Sequence, residues 1–377
     1  MSPSSAPLGV YIHWPYCARI CPYCDFNVVR GRAGEGAQLA DVILADLQAQ
    51  AARLPDRRLT SIFFGGGTPS RMDPAAVARL IAAATHAWPS ADDLEITVEA
   101  NPGDADAFAA FAEAGVNRLS LGVQSLDDEA LKFLGRDHDA ATARRALQAA
   151  ANAFPRVSAD LIYALPGQTA AGWAAALAEV AELGIEHLSP YQLTIEPGTA
   201  FARAVSRHAW APPAADAAAE LYETTQTLLE GLGFEAYEVS NHARGSAARS
   251  RHNLLYWQGE DYLGVGPGAH GRITRSGVRI AAETPRGIAA YIARVEQFGS
   301  GAIETPLAPR EQALERLLMG LRTLEGVALA DLTPLAIPDG RIADLTGFVE
   351  KRAGRLAATA RGRPVLDRLV AELADAA

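Results

Sequence analysis

Cysteine is scarce in this chain of 377 residues: there are three, at positions 17, 21 and 24. An odd number packed into eight residues cannot build a disulfide framework. It points instead to a metal site or to redox chemistry in a reducing compartment. A basic excess is also missing. Lys and Arg number 34 against 44 Asp and Glu, for a net charge of -10. Nucleic-acid binders usually carry a basic face, so no nucleic acid is expected as main partner. There is no long apolar run of the kind that spans a bilayer, about 18 residues or more. The stretch Met1 to Leu8 has neither the charged start nor the apolar middle of a signal peptide, so the expected compartment is cytoplasmic. No repeat at solenoid periods and no low-complexity tail is found.

What is present is an ordinary globular composition with a regular rhythm. Apolar runs at Val10–Trp14, Ser61–Phe64, Glu95–Glu99, Arg118–Val123, Ser158–Ala164 and His187–Leu193 read as strands. Ala-rich amphipathic stretches lie between them, near Ala37–Arg53, Pro74–Trp88, Asp104–Ala114, Ala140–Phe154 and Ala170–Leu183. Strands alternating with helices imply parallel pairing through βαβ crossovers. Six such units fit a partial or full α/β barrel, or a doubly wound sheet, and periodicity alone does not choose. After Thr194 the rhythm changes. A long helix is expected over Ala214–Leu232, a Gly-rich run spans Gly259–Gly271, and Leu314, Leu317, Leu318 and Leu321 mark a later helical stripe. The expected parts are 1–205, an accessory α/β segment 206–300 and a helical C-terminal domain 301–377.

The cysteines follow CxxxCxxC directly after the first strand. Three thiolates on one short loop can each hold one iron of a cubane cluster. The fourth iron then stays open to an outside ligand, as catalytic metal sites keep one position free. Two plainer readings compete. Cys21-Pro-Tyr-Cys24 could be a dithiol redox motif, but that leaves Cys17 without a role. A structural zinc site would normally want four ligands.

This motif resembles the radical S-adenosylmethionine superfamily, whose fold is a partial (β/α)6 barrel. The resemblance implies an α/β fold of that kind with a small, mostly helical C-terminal domain. It implies a [4Fe-4S] cluster on Cys17, Cys21 and Cys24, with S-adenosylmethionine as cosubstrate. Gly66, Gly67 and Thr68, in the run Gly65-Gly66-Gly67-Thr68-Pro69, match the segment that meets the methionine part. Glycines there allow close backbone approach. A zwitterionic nucleoside needs an anion for its ammonium, a cation for its carboxylate and polar groups for its ribose. Glu99, Arg136, Gln124 and Asp160 would meet that list and match family positions, with Arg136 suited to the carboxylate. Tyr11, Tyr23 and Thr194 also match family contacts, with Tyr23 near the adenine.

Within the superfamily the chain resembles the oxygen-independent coproporphyrinogen dehydrogenases over nearly its whole length, with two departures. The dehydrogenases extend the motif to CxxxCxxCxC, where this chain has Phe26. They also carry a substantial extension before the first strand, where this sequence has ten residues before Tyr11. Both departures resemble the HemW-type heme chaperones, as does HNxxYW at His252-Asn253-Leu254-Leu255-Tyr256-Trp257. That resemblance implies heme as a ligand and heme-accepting proteins as partners. It leaves open peripheral membrane association, a homodimer, and oxidative decarboxylation as the alternative activity. His252 is the candidate heme ligand, since imidazole can ligate heme iron, with Tyr256 and Trp257 against the macrocycle. The plainer reading is a structural corner, with His252 hydrogen-bonded and the aromatics in the core. His242 reads as a substitution at a family aromatic position, and His13 as a structural hydrogen-bonder.

Overall fold

Apolar residues recur along six buried strands that pair in sequence order. The computed structural model describes residues 6–31 and 36–375. The strands are β1 (Ala6–Trp14), β2 (Arg57–Gly66), β3 (Ser90–Ala100), β4 (Arg118–Gln124), β5 (Arg156–Tyr163) and β6 (His187–Gln192). Each pairs in parallel with the next. The intervening helices start where short side chains can cap them. Asp73, Asp139 and Thr169 each accept a backbone N–H at a helix start, which satisfies one otherwise orphaned donor.

The sheet does not end with these six strands. Asp261–Val265 pairs in parallel with the outer edge of β1, and the antiparallel strands His270–Arg275, Val278–Glu283 and Ile303–Pro306 follow it. At the far end, His242–Ala243 and Glu235–Ala236 pair antiparallel onto β6. The result is a twelve-stranded open sheet. Segment 206–300 is therefore continuous with the barrel sheet, and its Leu221, Leu229, Leu263 and Tyr291 share the main core. The C-terminal part has its own core, including Leu317, Leu332, Leu356 and Leu369.

Two expectations need correction. The tail is not purely helical: Val349–Arg352 and Arg355–Ala358 form a hairpin that pairs with Val327–Ala328. Its turn residues Ala353 and Gly354 both have positive φ, the geometry of tight hairpins. The strands are short, and Glu350, Lys351 and Arg352 are exposed, so no apolar alternation marked them. The helix expected over Asp104–Ala114 is a 3-10 segment, Pro102–Ala107, followed by an α-helix, Phe108–Glu113. The break falls at Asp104, which accepts a hydrogen bond from Ser70 Oγ at 2.7 Å.

Candidate functional site

In a parallel strand covered on both faces, a near-continuous apolar run is the norm. Three of these strands depart from it at every second residue. Arg118, Ser120, Gly122 and Gln124 on β4, Ser158, Asp160 and Ile162 on β5, and His187, Ser189 and Tyr191 on β6 all line one cavity of about 480 Å³. A period of two puts them on a single face of the sheet. The cysteine loop closes this cavity. Cys17, Cys21 and Cys24 are free thiols on its wall.

The loop is fixed by backbone contacts that only glycine permits. Gly67 N donates to Trp14 O at 2.7 Å and Thr68 N donates to Tyr16 O at 2.9 Å. A Cβ on Gly67 would sit 2.7 Å from Tyr16 O. Gly135, at positive φ, lies so close to Pro22 that a Cβ would meet its ring at 2.7 Å. The turn that supplies Arg136 is thus packed against the turn that supplies the cysteines.

The charged groups occupy set places. Glu99 accepts a hydrogen bond from Gly66 N at 3.0 Å. Burial, reinforced by nearby Asp160, pushes its carboxyl up to about 8. Asp160 accepts from Ser120 Oγ at 2.8 Å and Ser158 Oγ at 3.2 Å, and its pKa is also raised, chiefly by burial. Arg136 donates to Cys21 Sγ at 3.3 Å, to Gly122 O at 3.1 Å and to Asn101, while its Nε is buried without a partner. Gln124 sits at the end of β4 with φ of 65°, and its buried Oε1 is likewise unpartnered. Both residues line the cavity, where each brings polar side-chain atoms to its wall.

The donor set fits a cluster. Burial pushes the Cys17 thiol up and carries Cys24 to about 11, with Cys17 and Cys21 adding to the latter. Iron would reverse that preference, because a coordinating thiol is deprotonated outright. Among the described residues no three His, Cys, Asp or Glu side chains converge as a single-ion site requires. A cubane does not demand such convergence, since each thiolate binds its own iron.

Twelve of the fourteen residues singled out in the sequence line this cavity: the three cysteines, Tyr23, Gly66, Gly67, Thr68, Glu99, Gln124, Arg136, Asp160 and Thr194. Thr194 is exposed at its rim. Tyr11 lies behind the wall, where its hydroxyl meets His13 Nδ1 at 3.0 Å. His252 is not in the cavity. It is 1% exposed, with Nδ1 at 2.7 Å from Ser61 Oγ and Nε2 at 2.6 Å from Tyr256 OH. Both ring nitrogens are thus occupied, and burial lowers its pKa to about 3. The HNxxYW helix, Arg251–Gln258, is held from below by Glu95, which accepts the N–H groups of Arg251 and His252. The expectation of His252 as an iron ligand is therefore corrected to the structural corner. Asn101, Ser120, Ser158 and Asn253 line the cavity without having been singled out. The polar residues at every second position of β4 and β5 were the available signal for the two serines; nothing local marks Asn253.

Three thiols at the mouth of a parallel α/β barrel, beside a glycine-bounded polar cavity, define a radical S-adenosylmethionine protein. The description "Radical SAM superfamily" matches residues 11–180. The mitochondrial radical S-adenosyl methionine domain-containing protein 1 of Bos taurus is 42% identical over 86% of this chain and 75% of its own length. The heme chaperone HemW of Escherichia coli (strain K12) is 41% identical over 74% of this chain and 75% of its own. HemW of Mycobacterium tuberculosis (strain H37Rv) is 35% identical over 97% and 95%. The chain belongs to the HemW family of radical SAM proteins. Its fold matches that of coproporphyrinogen III oxidase (HemN) from Escherichia coli with a TM-score of 0.81, covering 98% of this chain and 90% of that one at 23% identity. No helix among the described residues is long and apolar enough to cross a membrane.

Proposed function

We propose that this protein is a heme chaperone that holds a [4Fe-4S] cluster on Cys17, Cys21 and Cys24, with S-adenosylmethionine in the adjoining cavity, and passes heme to acceptor proteins. The observation that carries the cluster assignment is the meeting of three free thiols, Gly66–Thr68, Glu99 and Arg136 on one cavity wall. Two features support the chaperone reading over decarboxylation of coproporphyrinogen: relatives matched over 74% and 97% of this chain are called heme chaperones, and Phe26 stands where the dehydrogenases carry a further cysteine.

The cluster, when bound, would supply a reducing iron centre beside the cosubstrate. The chain's own residues do the rest. Ionised Glu99 takes the ammonium, which lowers its raised pKa again because an opposite charge favours the carboxylate. Arg136, a buried cation on the cavity wall, would meet the carboxylate. Asp160 and Gln124 would meet the ribose, and Tyr23 the adenine. The test is anaerobic reconstitution, heme loading and transfer to an apo-acceptor, alongside turnover with reductant, S-adenosylmethionine and coproporphyrinogen III. Heme transfer without porphyrinogen turnover is the expected result. Repeated conversion to protoporphyrinogen IX would overturn the chaperone reading in favour of the dehydrogenase.

A further inference from the structure

A second cavity, of about 660 Å³, lies on the other side of Glu99. Phe26, Gly66 and Glu99 line both cavities, so they form the partition. Its walls come from three remote segments. One is the antiparallel extension of the sheet, where His270 and Arg272 alternate onto the same face. On that face Tyr262 pairs across from Arg272, and Glu283 pairs across from His270. The second is the helix Pro309–Gly320, which presents Gln312, Glu315, Arg316 and Met319 at helical spacing. Arg272 clamps this helix to the sheet through Glu315 at 2.7 Å. The third is the HNxxYW helix, which contributes Tyr256 and Trp257.

The volume falls in the range of about 300–1,000 Å³ that suits a drug-sized or cofactor-sized ligand. The aromatic rings of Tyr262, Trp257 and Phe26 with Met319 suit a flat apolar macrocycle. Phe26 is 60% exposed, so its ring is available at the partition. Arg286 stands at the rim, and its guanidinium has no ion-pair partner among the described residues. Such a group suits a carboxylate side arm.

Three histidines lie beside this cavity, and hydrogen bonding separates them. His13 is used at both nitrogens, by Tyr11 OH and by Asn27 O at 2.8 Å. His252 is used at both nitrogens by Ser61 and Tyr256. The His270 ring makes no hydrogen bond among the described residues: the Glu283 carboxylate lies 3.7 Å from Nδ1, and the side chain is 59% exposed. A carboxylate beside one ring nitrogen orients a histidine toward a metal on the other.

We propose that the second cavity seats an iron tetrapyrrole, with His270 as the iron ligand and Arg286 meeting a propionate. This rests on the heme-binding reading above and places the ligand at a position other than the HNxxYW histidine. Cluster and tetrapyrrole would then occupy separate chambers with Glu99 and Phe26 between them.

The experiment is a heme titration of the reconstituted full chain, followed by visible absorption, with iron, sulfide and S-adenosylmethionine binding measured in parallel. His270→Ala should shift the Soret band and weaken ferric heme binding at least about tenfold, with cluster content and S-adenosylmethionine binding unchanged. Arg286→Glu should weaken heme binding with the Soret position kept. Met319→Trp, which fills the cavity, should block uptake while the cluster still assembles. His86→Ala, on an exposed helix face, serves as the control and should alter nothing. A wild-type spectrum and affinity in His270→Ala would overturn the ligand assignment and leave heme binding standing. Undiminished heme uptake by Met319→Trp would overturn the cavity assignment. No uptake by the unaltered chain would instead defeat the underlying heme reading.

Discussion

The two cavities on either side of Glu99 are built in opposite ways. The first takes its chemistry from the ends of consecutive strands and from the loop that follows β1, so each motif contributes several lining residues at once. Glycines lock the loop in place by backbone approach, at Gly67 against Tyr16 and at Gly135 against Pro22. The second is assembled from the sheet extension, the HNxxYW helix and a helix sixty residues further along. Its walls are held by side chains: Arg272 with Glu315, Glu95 with the start of helix Arg251–Gln258, and Arg316 with Trp257 O at 3.2 Å. The difference teaches that a site made by backbone geometry reads as a motif. A site made by side-chain clamps between distant elements does not.

The largest contrast should come from the cysteines. Cys17→Ala, Cys21→Ala or Cys24→Ala should each reduce iron and sulfide after anaerobic reconstitution from about four of each per chain to a small fraction. Retention of a full cluster in any one of them would remove that residue from the ligand set.

Glu95→Ala should strike the second region and leave the thiols in place. Glu95 is fully buried, 2.8 Å from Arg156 and 3.9 Å from Arg118, and it caps the HNxxYW helix. Removing it leaves buried guanidinium groups uncompensated, a loss of about 3–5 kcal/mol. Denaturant unfolding should register that loss. A change under about 1 kcal/mol would mean that the arginines find other partners.

Arg136→Ala should weaken S-adenosylmethionine binding by about 2–5 kcal/mol, as expected when one partner of a desolvated charge pair is removed. Iron content checks the alternative. Arg136 also donates to Cys21 Sγ, so a parallel loss of cluster would show that its main task is to hold the loop.

The smallest effect concerns pH. Glu99 has a carboxyl raised to about 8, first by burial and then by Asp160. A raised folded-state value means the native protein binds a proton that the unfolded chain has released. In the ligand-free protein this contribution is present in full below the ordinary glutamate range. It is lost as pH rises towards and through about 8. Glu99→Gln should flatten that fall and, above it, raise ligand-free stability by roughly 1–2 kcal/mol, after allowing for water in the adjoining cavities. S-adenosylmethionine affinity should move the other way, rising with pH in the unaltered chain and staying low and flat in the variant. Thermal unfolding and equilibrium binding between pH 6 and about 9 would decide it; parallel profiles for the two proteins would take Glu99 out of the ammonium site.

The six barrel strands were legible because the strand period and the intervening Ala-rich helices agree along the first half of the chain. The cysteine loop and Gly65-Gly66-Gly67-Thr68 were legible because thiol spacing and glycine runs are local. The hairpin Val349–Ala358 was missed because its four-residue strands carry charges on an exposed edge. His252 was open to misreading for a different reason. A histidine beside two aromatics suits a macrocycle and a hydrogen-bonded corner equally well, and only its partners Ser61 and Tyr256 separate the two.

By itself the sequence determined the order of elements, the thiol cluster and part of the polar lining of the first cavity, because these follow from short-range periodicity and from residue types a few positions apart. Only the tertiary structure decided that β1 also pairs with Asp261–Val265, that His252 is sealed while His270 stays open, and that Glu99 serves as a wall between two chambers. Those outcomes depend on contacts across roughly 30 to 260 residues of chain, whose formation is set by packing and burial of the whole molecule and leaves no local signature.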